Sequence, residues 1–332
     1  MNRHRYDVFR ALHHRPGNPL VLPNAWDHAS AAALAEAGFA AVGTTSLGVA
    51  SAAGKPDATG AAREETVRLG TSLARLPVPA TVDIEGGFGL DPAGVAELAA
   101  ELARAGVAGV NIEDGRPDGT LAPVAYQQEL IGAVKAAAPA LFVNARTDTY
   151  WLPGHADGTT RRLSAYQEAG ADGLFVPGLR DESVISALTA GYEAPLNILY
   201  APGRSTLARL AELGVARVST GSLLFRAAVQ HAVDVAGAVA RGGGVDVAGV
   251  PAYAVADGWA DSYGKQDEGP PRGGSSPGSG SPDVPKYVFY GSPVRRMVRT
   301  GRLALREGLR APLQLSGHGT RGEFSAAWSG HA

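Results

Sequence analysis

The chain has 332 residues, 45% of them hydrophobic, and a formal net charge of −2. That supplies a large core and leaves little net charge to draw the molecule to nucleic acid or an acidic membrane. It contains no cysteine, which excludes disulfides, thiolate metal sites and thiol nucleophiles. Residues 1–18 are polar, and no stretch reads as the ~18 consecutive apolar residues of a helical membrane span, so a cytoplasmic protein without a membrane partner is expected.

In chain order, short β-rich runs at 20–23, 40–44, 78–83, 109–113, 141–146, 173–177, 196–199 and 216–219 alternate with alanine-rich helical runs. The helical runs are 28–37, 63–76, 92–105, 124–138, 158–169, 181–190, 205–213 and 222–239. Gly38, Gly106, Gly170 and Gly214 fall where a helix ends before a strand, the position that favours a left-handed backbone. Strict β–α alternation argues for a parallel sheet, and eight units of this length for an α/β (β/α)₈ TIM-type barrel. An open doubly wound sheet is the alternative, but the first βα turn, Pro23-Asn24-Ala25-Trp26-Asp27, lacks a G-x-G-x-x-G fingerprint. Residues 1–250 are thus assigned to the barrel with its C-terminal helix. Residues 251–332 are assigned to a linker and basic tail, expected to be disordered: 268–283 read EGPPRGGSSPGSGSPD, and 297–309 are the one candidate for a short basic helix.

The richest stretch is VDIEGGFG at 82–89. Alternate residues of a strand share a face, so Asp83 and Glu85 should stand together where strand yields to loop. Paired carboxylates there suit a hard cation such as Mg²⁺, which takes oxygen ligands and keeps several waters. Other polar clusters fall at strand ends, where a barrel carries its chemistry, while the strands otherwise read as apolar. They comprise Asn24, Thr44-Thr45-Ser46-Leu47 with the following Asp57, Asn111-Ile112-Glu113-Asp114, and Asn144-Ala145-Arg146-Thr147-Asp148. Asp57, Asp83, Glu85 and Glu113 would repel one another without a cation. Arg146 offers a fork for a carboxylate. Structural readings stand beside these: Asp27, Asp91 and Asp181 as helix N-caps, Asp114 as a loop brace, Asp148 as a partner of Arg146, Trp26 as packing, and His28 and His155 without an evident partner.

The stretches PNAWDHASAAALAEAGFAAVGTTSLGVA, GKPD, VDIEGGFG, GVAGVNIEDG, NARTDTY and AGADGLFVPGL, in this order, resemble the isocitrate lyase/phosphoenolpyruvate mutase superfamily over about residues 20–239. The resemblance implies a barrel that binds Mg²⁺, or Mn²⁺, and makes or breaks C–C or P–C bonds alpha to a carboxylate in 2-oxo or 2-hydroxy acids. It implies Asp83 as the central metal acid, with Asp57, Glu85 and Glu113 completing the metal site. It implies Arg146 on the substrate carboxylate and Thr45, Ser46 and Leu47 on substrate oxygens, with Arg146, Asp57 and Glu113 as the catalytic set. It also implies a homo-oligomer, dimer or tetramer, that exchanges a helix near 222–241. Several positions depart from the pattern. The lyase Lys-x-Cys-Gly-His loop and the mutase Asn-Ser gating segment are both missing, and residues 114–122 form a short loop instead. Pro177 replaces a histidine, Gly43 a tryptophan and Glu85 an aspartate. Arg116, Asp118, Tyr150 or a water are left as acid candidates. The expected activity is a Mg²⁺-dependent lyase or hydrolase that cleaves a C–C bond through an enolate-type intermediate. The alternatives are a phosphoenolpyruvate mutase or phosphonopyruvate hydrolase type of enzyme, and a non-catalytic ligand-binding or scaffold barrel.

Overall fold

A computed structural model describes residues 2–261; the low-complexity run 268–283 and the basic run 284–332 lie outside the described residues. Nine strand segments pair in parallel throughout: β1 (Leu20–Leu22), β2 (Asn24–Ala25), β3 (Val42–Thr44), β4 (Ala80–Asp83), β5 (Gly109–Glu113), β6 (Phe142–Arg146), β7 (Gly173–Phe175), β8 (Leu196–Leu199) and β9 (Arg217–Ser219). β1 and β2 are two halves of one strand, interrupted because Pro23 has no N–H to donate. Its carbonyl still accepts from Gly43 at 2.9 Å. The first half pairs with β9 (Leu20↔Arg217) and the second with β3 (Asn24↔Gly43), so the sheet closes into the expected eight-unit barrel.

Eleven helices are present among the described residues: α1 (Asn2–Leu12), α2 (His28–Glu36), α3 (Ser46–Ala52), α4 (Arg63–Leu73), α5 (Pro92–Ala105), α6 (Val124–Ala137), α7 (Thr159–Glu168), α8 (Glu182–Gly191), α9 (Leu207–Glu212), α10 (Leu223–Ala240) and α11 (Tyr253–Asp261). The N-cap assignments are met. Asp27 accepts from Ser30 N–H in a capping box, Asp91 from Gly94, and Asp181 from Ser183 and Val184. Gly38, Gly106, Gly170 and Gly214 all have left-handed backbones, with φ between 81° and 99°. Alternate strand residues point outward: Val82, Val110, Ile112 and Val143 are buried in the apolar layer with Leu98 and Leu102 of α5 and Leu130 and Val134 of α6.

The inward face departs from the expectation of apolar strands. Thr81, Asn111, Asn144, Asn197, Arg217 and Ser219 are all buried, and Arg217 is fully so. All but Ser219, which precedes Thr220, sit singly between apolar neighbours, so no polar run marks them in the sequence.

Three helices, α1, α3 and α11, were not anticipated. α1 plugs the end of the barrel where the strands begin. Phe9 and Leu12 pack with Leu20, Leu22, Ala41, Ala108 and Phe142. Arg5 donates to the carbonyls of Leu76 (2.9 Å) and Val78 (3.2 Å), and the Tyr6 hydroxyl to Asp172 (2.7 Å). α11 occupies residues assigned to the linker; Trp259 packs on the cluster around Ala31 and Ala32, and its Nε1–H donates to Glu36 at 2.8 Å.

α10 bears on the membrane expectation without overturning it. Its 18 residues buried nothing of themselves and have a mean hydropathy of 1.3, enough in length and composition to cross a membrane. Arg226, His231 and Asp234 break the apolar run without lowering that mean far.

His13 closes the plug. Its Nδ1–H donates to the Phe9 carbonyl at 2.8 Å, and its ring stacks on Phe142 at 4.4 Å. Burial, reinforced by the charge of Arg217, lowers its pKa from 6.5 to about 3. Across that window the unfolded chain binds a proton that the folded chain refuses, so stability is full above pH 6.5 and falls as the pH drops toward 3. The slope contributed is at most about 1.4 kcal/mol per pH unit. Denaturant titrations over this window should show a shallower acid loss for His13→Phe than for the parent chain; parallel losses would contradict the assignment.

Candidate active site

A cavity of about 400 Å³ opens where the strands end, a volume suited to a small ligand. β4 contributes Asp83, its last residue. The Asp83 backbone N–H donates to Thr44 Oγ1 at 2.8 Å, and its Oδ1 accepts from Glu85 N–H at 3.2 Å. Burial raises the Asp83 pKa, and the nearby Arg146 opposes the rise. Asp57 lines the same cavity from the loop between α3 and α4, with Oδ1 buried and unpartnered. Thr45, Ser46 and Leu47 line it too, as the cap and first turn of α3 rather than as the loop the sequence suggested.

Glu113 and Arg146 end β5 and β6 as register partners and form a buried ion pair at 2.5 Å. Asp148 grips the other edge of the guanidinium, accepting from Nε at 2.6 Å and Nη2 at 3.1 Å. The pairing of Asp148 with Arg146 foreseen from the sequence is therefore present. Burial disfavours the Arg146 charge, but Glu113, Asp148 and Asp83 outweigh it and raise its pKa. Burial likewise pushes Glu113 well up, against the pull of Arg146.

Glu85 does not follow the alternation argument. The strand ends at Asp83, and Glu85 takes a left-handed backbone (φ 50°). Its side chain turns to the Gly60 N–H, accepting at 2.8 Å, and lines a neighbouring cavity of about 280 Å³ instead of the main one. Burial is the main cause that raises its pKa to about 7. Glu85 thereby ties the loop that carries Asp57 to the end of β4. Ala58, Glu85 and Phe88 all have positive φ, a strain concentrated at this junction.

Among the described residues, no three His, Asp or Glu side chains gather closely enough to enclose a metal ion. The donor set nonetheless fits a hard cation that keeps its waters: all donors are oxygens, and Asp57 leaves a buried carboxylate oxygen without a partner. Four carboxylates (Asp57, Asp83, Glu113, Asp148) face two guanidiniums (Arg116, Arg146) around the cavity. One divalent cation would offset that imbalance.

The remaining sequence candidates divide. Residues 115–121 make a tight hairpin: Gly115 bridges Leu121, and Arg116 N–H donates to the Thr120 carbonyl at 2.9 Å. Arg116 lines the cavity, whereas Asp118 accepts from Thr120 N–H (3.0 Å) and Oγ1–H (2.7 Å) and lines neither cavity. Tyr150 packs on the apolar layer, away from the site. Trp26 meets Phe225 edge to face at 5.5 Å, a packing role. His28 does have a partner, Ser72, with Nδ1 and Oγ 2.8 Å apart. Asp114 is the brace suggested for it: it accepts from Thr147 Oγ1 (2.8 Å), Arg162 Nη1 (3.0 Å), Tyr166 hydroxyl (2.6 Å) and Asp148 N–H (2.8 Å). The sequence reading missed Phe175, Trp151 and Ser219, which also line the cavity. Ser219 ends β9, and its place at a strand terminus was the available signal.

The profile of the phosphoenolpyruvate phosphomutase family matches residues 9–240. Over 236 residues the chain is 45% identical to an uncharacterized protein of Mycobacterium tuberculosis, spanning 70% of this chain and 89% of that one. Over 188 residues it is 36% identical to the oxaloacetate decarboxylase of Pseudomonas aeruginosa, spanning 52% and 61% respectively. A solved structure from Burkholderia cenocepacia J2315, provisionally named a phosphonomutase, is 39% identical with a TM-score of 0.67, spanning 73% of this chain and 100% of that one.

Removing the Asp114 carboxylate strands Arg162 and Tyr166 without their buried acceptor. Asp114→Ala should cost roughly 3–5 kcal/mol of stability, read as a shift in the denaturant midpoint; a loss under about 1 kcal/mol, the range of an exposed pair, would show that the brace is dispensable.

Proposed function

This chain belongs to the phosphoenolpyruvate mutase family, within the phosphoenolpyruvate mutase/isocitrate lyase superfamily of lyases and mutases, and from that membership and its cavity we propose a Mg²⁺-dependent enzyme that cleaves a carbon–carbon bond in a small 2-oxo or 2-hydroxy carboxylic acid. The observation that carries the reading is the excess of two carboxylates over guanidiniums around a cavity of metabolite size. The relative that acts on oxaloacetate, a 2-oxo acid, supports the substrate class.

In this reading Asp83 would hold the cation with Asp57 and Glu113 facing its waters, while Glu85, in the neighbouring cavity, acts on the site only through the loop that carries Asp57. When bound, Mg²⁺, or Mn²⁺ in its place, supplies Lewis acidity for negative charge that develops on the substrate's C2 oxygen. Arg146 receives the substrate carboxylate. Its plane is already fixed by Glu113 and Asp148, so little of its conformational freedom remains to be lost on binding. Thr45 and Ser46 offer hydroxyls, and Ser46 and Leu47 the N–H groups of a first helical turn, which have no acceptor within the helix. For a 2-oxo acid that carries a second carboxylate on C3, as oxaloacetate does, the bond from C3 to that carboxylate breaks. Its electron pair becomes the enolate, carbon dioxide departs, and C3 then takes a proton. With Asp118 and Tyr150 turned away, that proton arrives from water beneath the 115–121 hairpin. The phosphonate reading uses the same residues and is supported by the provisional name of the Burkholderia relative.

A homo-oligomer is part of the proposal. Val229 and Val233, 48% and 60% exposed, stand one turn apart on α10, whose residues are all at least partly open to solvent. An apolar helix left bare in this way suits the surface of a second copy.

Two experiments test these readings. With Mg²⁺ present, a panel of 2-oxo acids headed by oxaloacetate should be turned over by the parent chain and not by Asp83→Ala. Undiminished Mg²⁺-dependent turnover in that variant removes Asp83 from the role, and release of phosphate from phosphonopyruvate alone moves the reading to P–C chemistry. Light scattering should find a dimer or tetramer that Val229→Glu/Val233→Glu splits into monomers; a monomeric parent chain would refute the interface.

A further inference from the structure

The groups with no role so far lie inside the barrel, below the cavity floor. Arg217, the first residue of β9, is fully buried. A buried guanidinium is costly unless its donors are met. Here one bond is made, from Nη2 to Asn111 Oδ1 at 3.2 Å, while Nε and Nη1 have no partner. Among the described residues no carboxylate pairs with it directly; burial lowers its pKa to about 9, and the charge of Asp83 only partly opposes this. A leucine would fill this space without that penalty, so the guanidinium calls for another explanation.

Asn111 supplies one. It is the register partner of both Asp83 and Asn144, and it lines the cavity. Its Oδ1 accepts twice, from Asn144 Nδ2 at 2.9 Å and from Arg217 Nη2 at 3.2 Å. An amide has two ends of opposite polarity, and turning it over exchanges donor for acceptor. Two donors aimed at Oδ1 from below select the orientation in which the Nδ2 hydrogens are left for the cavity. The alternative orientation would present a carbonyl oxygen beside Asp83, repelling any anion bound there.

We infer that Arg217 is a positioning residue which, with Asn144, locks the Asn111 amide so that its Nδ2–H donates to the C2 oxygen of the substrate as that oxygen becomes negative. This rests on the reaction proposed above. Preorganised donors aimed at developing charge act most strongly in a water-poor site, and they need no reorientation at the moment of reaction. Arg217 touches neither substrate nor cation; it acts through Asn111.

The test is a double-mutant cycle with two readouts: turnover of the 2-oxo acid, and binding of oxalate in the presence of Mg²⁺ by calorimetry. Oxalate presents an oxygen pair like that of the enolate and needs no chemistry. Asn111→Ala should lower kcat by about 100-fold, the loss typical of one oxyanion donor, with a smaller effect on KM. Arg217→Met should lower kcat about tenfold and weaken oxalate in the parent background, yet change neither by more than about twofold in the Asn111→Ala background. A guanidinium that merely supports the barrel would instead give equal losses in both backgrounds, and that result overturns the proposal. Should Arg217→Met not fold, Arg217→Lys, which keeps the charge and loses the planar fork, enters the same cycle. If the parent chain binds oxalate but turns over no 2-oxo acid, the reaction is wrong while the binding arm still decides the coupling. If it binds no oxalate, both ideas fall.

Discussion

One guanidinium organises the mouth of this barrel. Arg146 leaves β6 with its fork gripped by Asp148 on one edge and Glu113 on the other. The last residues of two neighbouring strands and an acid just beyond the second thus form one charged cluster. Each carboxylate is nearly buried, and burial alone would drive both toward the protonated acid. The guanidinium opposes that drive without cancelling it, and the two side chains hold it still. Asp83 and Asp57 lie beyond this clamp, and Asp57 keeps a buried carboxylate oxygen without a partner.

The support behind the clamp is equally specific. Asp114 is fully buried and accepts four hydrogen bonds, one of them from the backbone N–H of Asp148. It therefore fixes the acid that fixes Arg146. Glu85 performs a comparable service on the other side by holding Gly60, in the loop that bears Asp57. A Cβ at Gly60 would lie 3.0 Å from the Phe88 carbonyl oxygen, so the two loops meet where only glycine fits. The strain at Ala58, Glu85 and Phe88 is retained because these loops over-determine one another.

Much of this was legible in the residues alone, and the failures have physical causes. Strand and helix periods differ so clearly that β5 and β8 fall on their predicted bounds, and glycine C-caps marked four helix ends. Convergence of Asp57, Asp83, Glu113, Arg146 and the Thr45–Leu47 segment on one cavity was readable because barrels gather strand ends. Glu85 went astray because period-two reasoning was extended past the last residue that obeys it. α1 was overlooked because polar and charged residues dominate its composition, although two of its apolar residues, Phe9 and Leu12, fall on one buried face. Arg217 was hidden for the opposite reason: a lone arginine in a short strand looks like a solvent-facing residue until the sheet closes around it. No local pattern reports which side of a closed sheet a residue faces.

The interruption at Pro23 carries a consequence for how the chain is assembled. Its two flanking segments staple opposite ends of the sheet, and Asn24 reaches Thr220 across 196 residues of sequence. Until the ribosome has delivered β9, the nascent sheet keeps two open edges, each a template for pairing with another chain. So distant a closure is slow, since the entropy of the loop is lost before the final pairing rewards it. The newborn polypeptide is thus most vulnerable to aggregation just before its last strand emerges.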